Sequence, residues 1–366
     1  MEHFPFLDRV EVLPEWEVAA RRFLEQGGVV LVLGAPDTGK STLSRYLIYR
    51  AYAAGTRVAL VDLDLGQSHL GPPTTLGLGF FPPRRPGDDS LFPDGLYFIG
   101  QTSPVGALLE VVAGCRVLVD QAAREGVARV VVNTSGLVQG PAALRLKMAQ
   151  AELLQPSLLL GLEREQELEP LLRGLGGRDA SLAEAGPEGP EASWPLLRLP
   201  VSSRAQHRPP EERRRYREEG FRRYFGRARR LELPLAPLNW QGLPWGQGEP
   251  LDAAALKELR PRLGVEVLQG EATGRQLTLL LAEPPPGHLQ FEEAPVHWLV
   301  WPELHLRLVG LLDGGHRTLA LGLILPSPWN REVLALWTPL NQAQTPRVRF
   351  LKVGRLRVGL QGQELT

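Results

Sequence analysis

Gly34-Ala35-Pro36-Asp37-Thr38-Gly39-Lys40-Ser41 decides the reading of this chain. The stretch fits G-x-x-x-x-G-K-[ST], a loop whose backbone amides cradle phosphates. Its flanks fit as well. Residues 28–33 (GVVLVL) form a short, continuous apolar run, as expected of a strand buried on both faces of a parallel sheet. Beyond Ser41, Leu43, Leu47 and Ile48 stand at helical spacing and Gly55 supplies a stop. The predicted order is strand, glycine loop, helix.

Each position of the loop has a physical task. Successive N–H groups point into a concavity, and the helix that follows adds the positive end of its dipole. Gly34 and Gly39 allow the backbone to turn and to approach phosphates closely. Lys40 is placed to reach the β- and γ-phosphates and Ser41 to hold Mg²⁺, so Gly34, Asp37, Thr38, Gly39, Lys40, Ser41 and Thr42 form the expected nucleotide-phosphate-binding set, an ATP site if the nucleotide is ATP. The chain has four lysines (Lys40, Lys147, Lys257 and Lys352), and its basic residues are otherwise arginine. A lysine in the one slot that calls for it is informative. A second apolar run, residues 58–61 (VALV), leads into Asp62-Leu63-Asp64-Leu65-Gly66-Gln67. Ligands of open α/β sheets bind beyond the carboxyl ends of strands. If the strand continues, Asp62 and Asp64 share one face of it. Such a pair can hold Mg²⁺ or its water and accept a proton from an attacking hydroxyl.

The 366 residues suggest two domains. Lys+Arg and Asp+Glu both total 41, so the overall charge selects no partner. One cysteine, Cys115, excludes a disulfide framework and a cysteine metal site. The start (MEHFPFLDRVEVLPEW) lacks the basic and apolar regions of a signal peptide. The apolar stretch around residues 105–119 contains Glu110 and Arg116, too short and too charged to span a membrane. The expectation is a cytoplasmic protein.

Along the chain, a helix is expected from Pro14 through Phe23, with Trp16 packed against the core or, as the less favoured alternative, serving as a base-stacking platform. Residues 69–81 read as a Gly- and Pro-rich loop and residues 82–94 as a polar surface connection. Strands are expected at 96–99, 128–132, 157–160 and 194–201, and helices at 104–125, 140–154 and 163–172. Residues 174–189 read as a flexible break. Alternating strands and helices imply an α/β domain whose mostly parallel sheet is flanked by helices. From about Leu231 strand-like runs take over (277–281, 297–300, 304–312, 317–325 and 348–358), with Asp313-Gly314-Gly315-His316 as a tight hairpin connection. The expected domains are 1–231 and a β-rich 232–366. His288, His297, His305 and His316 lack metal-ligating spacing.

Residues 202–230 stand apart. Between Arg204 and Arg230 there are eleven arginines against four glutamates. Phe221, Tyr224 and Phe225 fall on one helical face and are expected to pack; Tyr216 lies off that face. The basic run is either a solvated helix, or a lid or groove for polyphosphate or nucleic acid.

Together these motifs resemble the polynucleotide 5′-hydroxyl kinase family, which includes the mRNA 3′-end cleavage-factor and pre-ribosomal-RNA processing kinases and prokaryotic relatives. Four elements match in order: the P-loop, residues 34–42; Asp62 to Gln67, similar to the family's acidic-x-Asp-x-Gly-Gln motif; Asn133-Thr134-Ser135-Gly136, similar to its Thr-x-Gly clasp; and residues 208–225, similar to its arginine-bearing lid. The resemblance covers roughly residues 14–230 and, more loosely, the C-terminal domain. It departs where some members carry Trp after the clasp glycine and this chain has Leu137, and where larger members carry an N-terminal β domain for which the P-loop here begins too early.

The resemblance implies transfer of the γ-phosphate of ATP, with Mg²⁺, to the 5′-OH of single-stranded or end-exposed RNA or DNA. By the same match Lys40, Asp64, Arg208 and Arg213 are the catalytic residues. Asp62, Gln67, Thr134 and Gly136 lie near the acceptor, and Ser41, Asp62 and Asp64 near the metal. Three alternatives stay open on the residues: a GTPase or metallochaperone-type protein, though no N-K-x-D signature or His/Cys tract occurs; a nucleoside or metabolite kinase; and a non-catalytic ATP-binding scaffold for RNA processing.

Overall fold

The computed structural model describes residues 10–82, 93–176, 178–179, 194–274, 276–286 and 295–365. Most of the connection at 82–94, most of the break at 174–189, and His288 lie outside the described residues. Contacts divide the chain into two compact units, Met1–Arg217 and Glu218–Thr366.

In the first unit the elements in chain order are α1 (Pro14–Gln26), β1 (Gly28–Gly34), α2 (Lys40–Ala53), β2 (Val58–Asp62), β3 (Thr75–Phe81), β4 (Gly95–Phe98), α3 (Leu108–Arg124), β5 (Arg129–Asn133), α4 (Gly140–Leu154), β6 (Leu158–Glu163), α5 (Glu169–Gly174), β7 (Arg178–Asp179), β8 (Pro195–Pro200) and α6 (Pro210–Phe225), within which the division between the units falls. The strands form one sheet in the order β4-β3-β2-β5-β1-β6-β8-β7. Pairing is parallel from β2 through β7, and β3 and β4 add an antiparallel edge.

Alternate residues of the central strands face opposite layers, as a period of two requires. Val30, Val32, Leu60, Val131 and Leu160 pack with Trp16, Phe23, Leu43 and Leu47 of α1 and α2. Leu31, Leu33, Val61, Val132 and Leu159 pack with Val111, Leu118 and Leu146 of α3 and α4. Burying each such side chain contributes about 1.5–3 kcal/mol. Trp16 is one of these core residues, its ring 5.8 Å from that of Tyr46.

Four sequence expectations change. First, residues 75–81 form β3 rather than loop. Its glycines permit close approach: a Cβ on Gly77 would lie 2.1 Å from the Leu70 carbonyl oxygen. Second, α3 starts at Leu108 and not at Pro104, because Gly106 has φ +87°, outside the helical region. Third, Glu163 ends β6, and the helix expected from it is confined to Glu169–Gly174, where Pro170 is tolerated in the first turn. Fourth, β2 ends at Asp62, so Asp64 lies in the following turn and does not share a strand face with it.

In the second unit the elements are β9 (Arg229–Pro234), β10 (Asn239–Gln241), β11 (Glu249–Pro250), α7 (Ala253–Leu263), β12 (Val267–Thr273), β13 (Gln276–Leu281), β14 (Val296–Val300), α8 (Trp301–Leu304), β15 (Arg307–Asp313), β16 (Thr318–Ile324), β17 (Val333–Thr338), β18 (Val348–Val358) and β19 (Glu364–Leu365). One sheet runs β10-β18-β15-β16-β17-β9 with β19 beside β18; the other runs β11-β12-β13-β14. The turn after Asp313 joins β15 and β16, its carboxylate accepting the N–H groups of Gly315 and Arg317 at 2.9 and 3.1 Å. Phe221, Tyr224 and Phe225 are buried as their spacing predicts, and the Tyr224 hydroxyl accepts the Leu321 N–H at 2.9 Å.

Candidate active site

The carboxyl ends of β1, β2 and β5 meet at an open cavity of about 810 Å³ in the first unit. The P-loop forms one wall. Asp37 and Gly39 hold φ +61° and +90°, which turns the loop around its concavity. A Cβ on Gly34 would lie 2.6 Å from Thr38 Oγ1 and 2.9 Å from the Leu162 carbonyl oxygen, so only glycine fits there. The Lys40 ammonium and Thr38 hydroxyl both donate to the Ala35 carbonyl, at 2.6 and 2.9 Å. Burial pushes the Lys40 pKa down to about 8, with Asp64, Asp37 and Asp62 acting the other way, so the group stays charged at neutral pH.

The two carboxylates after β2 have different surroundings. Asp62 is buried. Its Oδ1 accepts from Asn133 Nδ2 at 3.0 Å and from the Asp64 N–H at 3.2 Å; its Oδ2 accepts the His69 N–H at 2.7 Å. Burial, and then the neighbouring Asp64, raise its pKa to about 6. With both oxygens committed to the protein, Asp62 is an anchor for the turn and not an exposed metal or acceptor ligand, which corrects the role expected from the sequence. Asp64 is half-buried and lines the cavity. One of its oxygens accepts the N–H groups of Gly66 and Gln67, both at 3.0 Å, which fixes the turn and leaves Oδ2 without a hydrogen bond among the described residues.

The segment after β5 forms another wall. Asn133 spends both amide hydrogens in bridging, one to Asp62 and the other to Ser41 Oγ at 3.2 Å. Thr134 is buried and donates to the Val32 carbonyl at 2.8 Å, so its hydroxyl faces away from the cavity, contrary to the acceptor contact expected of it. Gly136 does line the cavity. A Cβ there would meet Pro36 atoms at 2.8–3.0 Å, so the glycine lets this segment press against the P-loop.

The lid closes the circuit. Asp37 Oδ2 receives Arg213 Nη2 at 2.6 Å and the Arg208 N–H at 3.1 Å, with His207 Nδ1 at 3.3 Å. Burial acts to raise the Asp37 pKa, but the Arg208 N–H and the Arg213 guanidinium outweigh it and hold the carboxyl below the ordinary range. Arg208 Nη1 donates to Gln67 Oε1 at 3.0 Å. Tyr216 of α6 places its hydroxyl 3.2 Å from His69 Nδ1, and burial lowers the His69 pKa to about 4, which keeps that ring neutral.

These residues fit a nucleoside triphosphate. Arg213 Nε is buried without a partner, as a guanidinium awaiting a phosphate oxygen would be. For the metal, Ser41 Oγ and Asp64 border the cavity, and no group of three His, Cys, Asp or Glu that could hold an ion occurs among the described residues. Mg²⁺ suits such a sparse site, since it keeps several waters and takes its remaining ligands from one or two protein groups and phosphates. Sequence reasoning assigned no role to Asn133, His69 or His207. Asn133 at the carboxyl end of an apolar strand was the one legible signal.

The P-loop family model described as "mRNA cleavage and polyadenylation factor CLP1 P-loop" matches residues 34–227. The chain belongs to the Clp1 P-loop family. Its curated relatives include the polyribonucleotide 5′-hydroxyl-kinase of Pyrococcus horikoshii, 27% identical over 97% of this chain and 93% of that protein. That of Methanocaldococcus jannaschii is 25% identical over 92% and 88%. The Clp1 kinase of Xenopus laevis is 33% identical over 58% of this chain and 47% of its own length. Among solved structures, the Clp1p chain in a Clp1p–Pcf11p complex superposes with a TM-score of 0.58, covering 93% of this chain and 77% of that one at 14% identity, a likeness of fold. No helix among the described residues is long and apolar enough to cross a membrane.

Proposed function

We propose that the protein is an ATP-dependent polynucleotide 5′-hydroxyl kinase acting on RNA, DNA or both. The observation that carries this reading is the convergence of three groups on one cavity: the P-loop with Lys40, the turn that exposes Asp64, and Arg208 and Arg213 from the lid. The names of its relatives support the same reaction.

In this reading the P-loop amides and Lys40 bind the β- and γ-phosphates. Ser41 and Asp64, the latter through water, hold Mg²⁺, which supplies charge neutralisation at the phosphates. Asp64 Oδ2 orients the 5′-hydroxyl and accepts its proton as the 5′-oxygen bonds to the γ-phosphorus, while the bond from that phosphorus to the β–γ bridging oxygen breaks and ADP leaves. Arg208 and Arg213 turn from Asp37 and Gln67 toward the phosphates. Their planar forks bind phosphate oxygens bidentately, which lysine cannot do. Gln67 and the Gly136 segment border the acceptor. The domain limits 1–231 and 232–366 and a cytoplasmic location belong to this proposal.

The test is transfer of label from γ-labelled ATP, with Mg²⁺, to matched 5′-OH RNA and DNA oligonucleotides, with Lys40→Ala and Asp64→Asn in parallel. Label at the 5′ end in the wild type, lost in both variants, supports the kinase and ranks its acceptors. Label on free nucleosides in preference to oligonucleotides would favour a small-acceptor kinase, and tight ATP retention without transfer would favour a scaffold.

A further inference from the structure

Lys147 is a buried titratable residue that the reaction above does not use. It lies on α4 with 0% of its surface exposed. Its hydrogen bonds among the described residues both go to Ser135: Nζ lies 3.0 Å from the carbonyl oxygen and 3.4 Å from the hydroxyl. Taking an ammonium out of water against neutral acceptors alone is costly, and an apolar side chain of the same length would occupy the position at lower cost.

The geometry shows what the charge does. The Ser135 carbonyl belongs to the peptide that carries the Gly136 N–H. That peptide is trans, so its N–H points opposite to its C=O. The carbonyl faces inward to Lys147, so the N–H faces the other way. Gly136 lines the cavity, and its N–H has no hydrogen bond among the described residues. A cation on the carbonyl side fixes the peptide plane and polarises it, which strengthens the N–H as a donor. Pro36 lies close to the segment as well: a Cβ added at Gly136 would meet Pro36 atoms at 2.8–3.0 Å.

We propose that Lys147 is a positioning residue for acceptor binding: through the Ser135 carbonyl it aims the Gly136 N–H into the cavity as a donor to an acceptor phosphate oxygen. This rests on the kinase reading, and the experiment separates the two. Lys147→Met removes the charge with an unbranched apolar side chain one atom shorter, and Lys147→Gln keeps a neutral donor. Both are melted to establish folding, then assayed with ATP and a 5′-OH oligonucleotide, KM and kcat being read for each substrate, and ATP binding is measured separately. Loss of a charge-assisted hydrogen bond predicts a rise of about tenfold or more in acceptor KM for Lys147→Met, a smaller rise for Lys147→Gln, and an ATP dissociation constant within about twofold of wild type. An unchanged acceptor KM in a folded variant overturns the proposal. Equal losses of ATP and acceptor affinity, or failure of both variants to fold, do so too, since Lys147 would then support the fold as a whole. A wild-type protein that transfers no label fails the kinase reading itself.

Discussion

Arg213 Nη2 and Asp37 Oδ2 lie 2.6 Å apart, joining the lid to the third residue after the first glycine of the P-loop. The carboxylate is 6% exposed and the guanidinium 27%, so water screens the pair little. The contact holds the Arg213 side chain beside the P-loop, within the cavity that both line. Arg213→Ala is expected to lower turnover by about 10³-fold or more while changing ATP affinity little, because such an arginine acts on charge that spreads in the transition state. Arg213→Lys should restore little of it. Single-turnover kinetics with ATP-binding titrations check both.

Asp37→Asn removes the charge that Arg213, the Arg208 N–H and His207 share. The lid should then open more often in the nucleotide-free protein. Trypsin cleavage at the lid arginines should be faster in the variant without nucleotide. Equal cleavage rates would mean that other contacts hold the lid.

The two carboxylates of the turn should separate in mutants. Asp64→Asn keeps the oxygen that accepts the Gly66 and Gln67 amides, so melting should hardly move while kcat falls by about 10²–10⁴-fold through loss of a general base. Asp62→Asn disturbs a buried hub bonded to Asn133, Asp64 and His69, and should cost about 1–3 kcal/mol of stability in denaturant melts.

Lys147 ties stability to pH. Burial lowers its pKa from 10.5 to about 7, so between these values the folded state binds fewer protons than the unfolded. Stability therefore rises with pH across this window, by up to about 1.4 kcal/mol per pH unit, and the cost of the buried charge is fully present below about pH 7. Relative to the wild type, Lys147→Met should be most stable below pH 7 and lose that advantage toward pH 10, read as the difference between two melting series. A difference that does not change with pH would show that Lys147 keeps an ordinary pKa.

If a nucleic-acid strand follows the arginines of the lid, oligonucleotide affinity should fall by about 0.7 log units per phosphate contact for each tenfold rise in salt. Replacing Arg215, which is exposed on α6, with Ala should reduce the slope by about one contact.

The chain by itself determined the strand–loop–helix of residues 28–53 and the parallel core, because both are written locally: an apolar run on each buried strand, glycine where the backbone must turn, and a helical spacing of apolar residues after Ser41. It also marked Asp64, Gln67, Gly136, Arg208 and Arg213, all of which line the same cavity. Tertiary structure decided the rest. The glycines that made residues 75–81 look like loop are there because Leu70 crosses over Gly77, a contact between segments that no local pattern shows. Asp62 and Asp64 are the same residue type two positions apart, yet only the fold sends one into the core and leaves the other an uncommitted oxygen. Thr134 is expected near the acceptor and Lys147 carries no expected role, but bonding of Thr134 to the β1 carbonyl of Val32 and of Lys147 on α4 to Ser135 turns both inward. A side chain's chemistry is local, whereas its desolvation and its partners come from residues distant in the chain, and these set what each group in this site can do.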